Sequence, residues 1–337
     1  MVKKLIFILC FFITISFEAT ALDVVIKSTT NRGETHIGDY WIAEDLAEGF
    51  KAIGKEAQVN YRGEYHKKHE PEPKLNVYMR GYTKFDTPFA EGTNILYCYY
   101  PMAYNDKSKN KIDKATLNKR MSMPPDSALD DDWQNFDVIT VASQSYAQRL
   151  NDKGIKAIYV PQFTNPQKFY PNPDKELETD ILFVGSNWHD RTSLRYAIES
   201  GYYVAVYGYN WEGIVPYEMY RGSYIENDKL NRYYSSAKIV LNDHRPDMKE
   251  FGFINNRIYD ATASGTLVIS DYMKEIEEAY GDSVPMYKTK EELKELLDYY
   301  LNHEDERIEK AKRAREITLK YFTDTVVAKQ LAKISRF

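Results

Sequence analysis

The stretch Lys238 to Asp271, KIVLNDHRPDMKEFGFINNRIYDATASGTLVISD, carries the chain's clearest chemical pattern. Lys238–Asn242 is a short β-branched run and reads as a strand. Gly252 and the pair Asn255, Asn256 mark a turn-rich loop. From Asn256 to Ser264 the spacing predicts a helix, with Ile258 and Ala261 on one face. Gly265 stands where a helix C′ glycine belongs, and Leu267–Ser270 reads as the next strand. A loop entering a helix between two parallel strands binds phosphate, because unpaired backbone N–H groups and the positive end of the helix dipole meet an anion there. Asp260, one turn in, is then placed to accept hydrogen bonds from sugar or ribose hydroxyls; the alternative is an exposed helix aspartate. His244 follows a strand at its carboxyl end, where it can contact phosphate or sugar, or serve as a hydrogen-bonded loop histidine.

Strands and helices alternate along the rest of the chain. Leu22–Lys27, Ala57–Tyr61, Leu75–Met79, Ile95–Tyr100, Val138–Ala142 and Ala157–Val160 are strand candidates. A polar loop, Asn31–Tyr40, precedes a helix that runs to about Ile53 with Ile42, Leu46 and Phe50 on one face. Pro161, Pro166, Pro171 and Pro173 then punctuate a domain boundary. Beyond it come a strand at Asp180–Val184, a helix at Arg191–Ser200, a strand at Tyr203–Tyr207 and a helix at Asn227–Ser236. After the central stretch, Glu291–Leu301 is amphipathic, and Glu304 to about Phe337 reads as helical and highly charged. This alternation implies an α/β protein with mostly parallel sheets covered on both faces. The expected organisation is a leader over residues 1–21, a first domain over 22–163, a second over 177–312 and a C-terminal helix over 313–337.

The chain has 337 residues, 43% hydrophobic and 28% charged, with a net charge of −5. That balance argues against a general nucleic-acid binder. Residues 1–21 have the form of a secretory leader: Lys3 and Lys4, an apolar run over Leu5–Phe17, and Ala19-Thr20-Ala21. They imply export, or a membrane tether if the leader stays uncleaved. Once the leader is removed one cysteine remains, Cys98, so neither an internal disulfide nor a cysteine-based metal site is expected. Between Lys107 and Arg120 lie six Lys or Arg residues, suited to acidic lipid or acidic glycan or simply a solvated face. Asp130–Asp132, in the same charged insertion, is a poor setting for a metal, and no metal site is expected.

The pattern resembles the donor-binding half of GT-B glycosyltransferases, most closely the branch related to the spore-maturation protein CgeB. The residues that carry the resemblance are Asn242, Asp243, His244, Gly252, Arg257, Asp260, Ala261, Ser264, Gly265 and Ser270-Asp271. It extends to Val138–Ser143, Gly154-Ile155, Val160-Pro161-Gln162, Phe183–Ser186 followed by Arg191, Tyr207-Gly208, Trp211 and Tyr321-Phe322-Thr323. In place of the two glutamates that flank this loop in many retaining members, the sequence has Gly252 and Asp260. The resemblance implies two Rossmann-like domains facing each other across a cleft, with the final helix crossing back onto the first.

It also implies a nucleotide-sugar donor, an unidentified glycan, lipid or protein acceptor, and no cofactor. Together with the helix-terminus argument it assigns the diphosphate to Arg257 and the backbone at Ile254–Asn256, with Arg191 as a second cation. A surface ion pair to Asp260 or Asp243 is the other reading of Arg257. Asn255 and Asn256 serve equally as donor contacts or as the helix N-cap. Gly185 either lets the backbone approach the donor or is an ordinary turn glycine. On the acceptor side His36 and Asp39, in the loop after the first strand, are the candidates for a general base. Two other readings stand beside the transferase: an exported two-domain sugar-binding protein, which shares the leader and the paired α/β domains, and a catalytically inactive GT-B scaffold.

Overall fold

The computed structural model describes residues 22–64, 67–81, 90–101 and 136–336. The leader, the basic run Lys107–Arg120 and Asp130–Asp132 lie outside the described residues. Twelve strands among those described form two six-stranded sheets, parallel throughout.

The first sheet runs in the order β2 (Ala57–Asn60), β1 (Val24–Lys27), β3 (Leu75–Arg80), β4 (Thr93–Cys98), β5 (Val138–Val141), β6 (Ala157–Tyr159). β1 is buried along its whole length, which explains its unbroken run VVIK: a parallel strand covered on both faces has no polar side to alternate. Helix α1 (Gly38–Ala52) covers one face through Ile42, Leu46 and Phe50, and α2 (Gln144–Asp152) packs near β5 and β6. The helix begins three residues earlier than expected, at Gly38 and not after Tyr40, so Asp39 stands in its first turn and not in the preceding loop.

The second sheet has the order β12 (Met286–Tyr287), β11 (Leu267–Asp271), β10 (Ala237–Asn242), β7 (Thr179–Val184), β8 (Ala205–Tyr207), β9 (Tyr220–Gly222). Around it lie α3 (Thr192–Glu199), α4 (Leu230–Ser236), α5 (Pro246–Glu250), α6 (Asn256–Ala263), α7 (Lys274–Tyr280), α8 (Lys290–Asn302) and α9 (Glu304–Tyr321). The helix expected from Glu304 to about Phe337 is two helices, α9 and α10 (Asp324–Ile334). The break at Phe322-Thr323 is a pairing with the linker: Thr164 N–H donates to the Phe322 carbonyl, and Asp324 N–H donates to the Thr164 carbonyl, both at 2.9 Å.

From that break α10 crosses to the first domain, where Val327, Ala328 and Leu331 join the core of Leu46 and Phe50. Gly49 makes the approach close, since a Cβ there would lie 2.6 Å from the Asp324 backbone. The loop after β10 crosses in the same direction. Met248, Phe251 and Phe253 are buried with Tyr146 in the first domain's core, and the Ser143 hydroxyl donates to the Phe251 carbonyl at 2.6 Å.

Candidate functional site

The site is built where the strands of the second sheet end. β7 ends at Val184 and the chain turns through Gly185, whose amide donates to the Tyr207 carbonyl at the end of β8. β10 ends at Asn242 and is followed by Asp243, His244 and Arg245. The helix α6 begins just beyond, with Asn255 in the N-cap position. Loops at the carboxyl ends of parallel strands are where an α/β sheet presents ligand-binding groups.

Arg257 lies in the first turn of α6. Its Nη1 donates to Asn242 Oδ1 at 2.8 Å, and its Cζ sits 5.2 Å from the centroid of the Phe183 ring. The surface ion pair to Asp260 or Asp243 is not formed, and among the described residues no carboxylate lies within ion-pair distance of Arg257. Its Nη2 lies beside the Gly185 turn, and its guanidinium also hydrogen-bonds the buried Tyr234. Arg191 is held more firmly: Nη1 meets Asp243 Oδ1 at 3.1 Å, and Nε donates to the Ser186 carbonyl. Burial, opposed by Asp243 and reinforced by Arg257 and Arg245, brings the Arg191 guanidinium down to about 10.

Near these arginines stands His189, a residue sequence reasoning passed over. Neither of its buried ring nitrogens has a protein partner. Burial first, then Arg191, Arg245 and Arg257, push its pKa down to about 2, so the imidazole is neutral at any working pH. Arg245 was also missed. The signal was there to use: His189 and Arg191 follow β7, and Arg245 follows β10, both at carboxyl ends. Three guanidiniums around an unpartnered neutral imidazole, with two nearby carboxylates already bonded to Arg191 and Arg245, form a site with positive charge to spare.

The helix terminus adds to it. No side chain caps α6. Asn255 Nδ2 donates instead to the Asp243 carbonyl at 2.8 Å and Asn256 Nδ2 to the Phe163 carbonyl at 3.2 Å, so the side-chain capping read for these two asparagines is not made. The first amides of the helix stay available to an anion. Both Asn side-chain oxygens are buried without a protein partner.

His244 is buried beside this group. Its Nδ1 lies 2.7 Å from Asp271 Oδ1, and Lys249 Nζ reaches Asp271 Oδ2 at 3.2 Å. Burial raises the Asp271 pKa, but His244 and Lys249 outweigh it and hold the carboxyl below its ordinary value.

Two candidates stand elsewhere. Gly252, at φ +71°, is wedged between Glu275 and Ser145, where a Cβ would collide with both; Ser145 Oγ donates to Glu275 Oε1 at 2.7 Å. It serves the contact between domains. Asp260 is not an exposed helix aspartate. It is buried, its Oδ1 accepts the Thr164 hydroxyl of the linker at 2.7 Å, and burial drives its pKa well above the usual value.

Across the cleft the first domain gathers one carboxyl group. Asp39 Oδ2 faces the Thr29 hydroxyl at 3.4 Å, just past β1. Gly81, past β3, leaves the space that Asp39 and the Tyr99 hydroxyl occupy. Burial raises the Asp39 pKa against the pull of Tyr99, Thr29 and Arg80, which suits a carboxylate to proton transfer. His36 is exposed on the loop before α1 and is not part of this group. That loop touches the second domain, where the Tyr224 hydroxyl donates to the Thr35 carbonyl at 2.9 Å. Among the described residues no group of three His, Cys, Asp or Glu is arranged to hold a metal, and no helix is long and apolar enough to cross a membrane.

Residues 177–333 match the family described as glycosyl transferase-like. The chain is 26% identical over 208 residues to the spore protein CgeB of Bacillus subtilis (strain 168), an alignment covering 56% of this chain and 64% of CgeB, less than two thirds of that relative. Sucrose-phosphate synthase from Thermosynechococcus elongatus superposes with a TM-score of 0.62 at 14% identity, over 94% of this chain and 98% of that one. The Anabaena protein HepE, solved with UDP and glucose, gives 0.61 at 9% identity over 93% and 99%. An alpha-glucosyltransferase solved with UDP and DNA gives 0.63 at 10% identity over 94% and 100%. At these identities the likeness is one of fold, and the fold is GT-B, as the sequence implied.

Proposed function

We propose that this chain, GT-B in fold and glycosyl transferase-like over residues 177–333, moves a sugar from a nucleotide-sugar donor to a glycan, lipid or protein acceptor. The observation that carries the reading is Arg257, a cation with no carboxylate partner among the described residues, set at an uncapped helix terminus beside Arg191 and Arg245. Sugar transfer leaves a nucleoside diphosphate, and the negative charge that grows on it needs fixed donors. Arg257 and the first amides of α6 would receive the diphosphate, with Arg191 and Arg245 adding positive charge nearby. His189, neutral, would offer a hydrogen bond without repelling the arginines. Gly185 lets Arg257 come close. Asp39, with its raised pKa, is the group assigned to take the acceptor's proton.

Transfer by these residues needs neither a metal nor another cofactor, so activity should survive EDTA. The leader supports export or tethering, and the run Lys107–Arg120 supports peripheral contact with an acidic membrane surface.

A thermal-shift panel tests the reading with the protein from Leu22 onward against UDP, GDP, ADP, CMP and free sugars. UDP leads because HepE and the alpha-glucosyltransferase were solved with it. A ligand at a hundred times its Kd stabilises the native state by about 2.7 kcal/mol. Stabilisation by one nucleotide, lost in Arg257→Ala, is the expected result. Stabilisation by a free sugar and by no nucleotide would move the protein to the sugar-binding class.

A further inference from the structure

Among the described residues, Arg245 takes its seat from both domains. It precedes α5 in the second domain, and its Nε donates to Asp247 Oδ1 at 3.3 Å. Asp247 Oδ2 accepts the hydroxyl of Tyr100 at 3.0 Å. Tyr100 belongs to the first domain, two residues past β4. Its ring also lies beneath the Arg245 guanidinium, with Cζ 5.7 Å from the ring centroid. One first-domain side chain therefore touches this arginine twice, by its π-face and through the carboxylate that orients it. Asp247 is 3% exposed, so water does not compete for those bonds.

Both contacts act in the same direction. The ring face attracts the guanidinium plane and fixes its tilt. The phenol bond to Asp247 Oδ2 fixes the carboxylate so that its Oδ1 meets Arg245 Nε. An arginine held in this way loses less side-chain freedom when an anion arrives.

We infer that Tyr100 is a positioning residue for sugar transfer: through its ring and its bond to Asp247 it seats Arg245 at the diphosphate site while the two domains are in contact. The inference rests on the reading of the arginine cluster as that site. Its consequence is that the site is complete only in the closed molecule, so the donor's diphosphate itself favours closure.

The test titrates inorganic pyrophosphate, UDP and uridine into the protein from Leu22 onward, in the wild type, Tyr100→Phe, Arg245→Gln and the double variant. Tyr100→Phe keeps the ring and removes one bond. It should weaken pyrophosphate and UDP about tenfold, the size of one charge-assisted hydrogen bond, leave uridine binding unchanged, and lower the ligand-free melting temperature modestly, because Asp247 loses a buried donor. Adding Tyr100→Phe to Arg245→Gln should cost nothing further, because the two act as one unit. Unchanged pyrophosphate and UDP affinity in Tyr100→Phe overturns the inference and leaves the transferase reading intact. Equal weakening of uridine, or a lowered melting temperature with every ligand weakened alike, overturns it in favour of a structural role. A wild type that binds neither pyrophosphate nor UDP overturns the diphosphate reading and this inference together.

Discussion

The Nη2 atom of Arg257 lies 2.6 Å from the point where a Cβ on residue 185 would stand. Gly185 and Arg257 are thus fitted to each other, and the guanidinium occupies space that any other residue would claim. Gly185→Ala should push the arginine away from the turn. The expected outcome is a loss of nucleoside diphosphate affinity of about tenfold or more, the cost of one misplaced bidentate contact. Titration calorimetry measures the affinity, and a melting curve should show a far smaller effect on stability.

His189 makes the protein sensitive to acid. Its folded pKa of about 2 lies below the ordinary 6.5, so as pH falls the unfolded chain takes up a proton that the folded chain refuses. Its contribution to stability is complete above about pH 6.5 and is lost as pH falls toward the folded value, by about 1.4 kcal/mol per pH unit at most. His189→Gln should flatten this slope. Urea unfolding at pH 7.5 and pH 5 would show it, and equal slopes for variant and wild type would remove His189 as the source.

Asp324 acts with the opposite sign. Burial, opposed by its bonds to Thr325 and reinforced by Asp45 and Glu48, raises its carboxyl to about 6 from 3.8. The folded state therefore holds a proton that the unfolded state releases between those values, and stability from this group falls as pH rises through that window. Asp324→Asn should be more stable than the wild type at pH 7 and should lose that advantage near pH 4. Melting temperatures across the range decide it.

Gly49→Ala sets two effects against each other. Alanine in a helix interior favours folding by about 0.5–1 kcal/mol over glycine. A Cβ at 49 would stand 2.6 Å from the Asp324 backbone, which has no flexible end to move aside, and overpacking of that kind costs about 1–3 kcal/mol. The net change should be destabilising, read as a lower denaturation midpoint with an unchanged m-value.

Much of the architecture could be read from local signals. Unbroken apolar runs such as Val24–Ile26 and the glycine after α6 reported doubly covered parallel strands and a helix stop, because both are dictated by near neighbours in the chain. Arg257 was legible for the same reason: it lies in the first turn of a helix entered between strands. What stayed hidden depends on distant partners. Asp260 read as a sugar or ribose contact, with an exposed helix aspartate as the alternative, and its bond to Thr164, 96 positions earlier, was not visible; Gly252 read as a loop glycine at the donor, and the closure of Ser145 and Glu275 around it was hidden in the same way. Arg245 became meaningful only when Tyr100 met Asp247 across 147 positions. His189 sits in a short loop beside exposed Trp188 and two residues before Arg191; its nearness to Arg245 and Arg257 comes from distant parts of the chain.

The helix Asp324–Ile334 fills a place in the core that Leu46 and Phe50 line. A ribosome delivers α1 nearly three hundred residues before that helix. The first domain must therefore wait, its apolar face open, until α10 has emerged, although domains generally fold in the order they are synthesised. The nascent protein passes through a long interval in which its first half is collapsed but unfinished, the kind of chain a chaperone on the ribosome would hold.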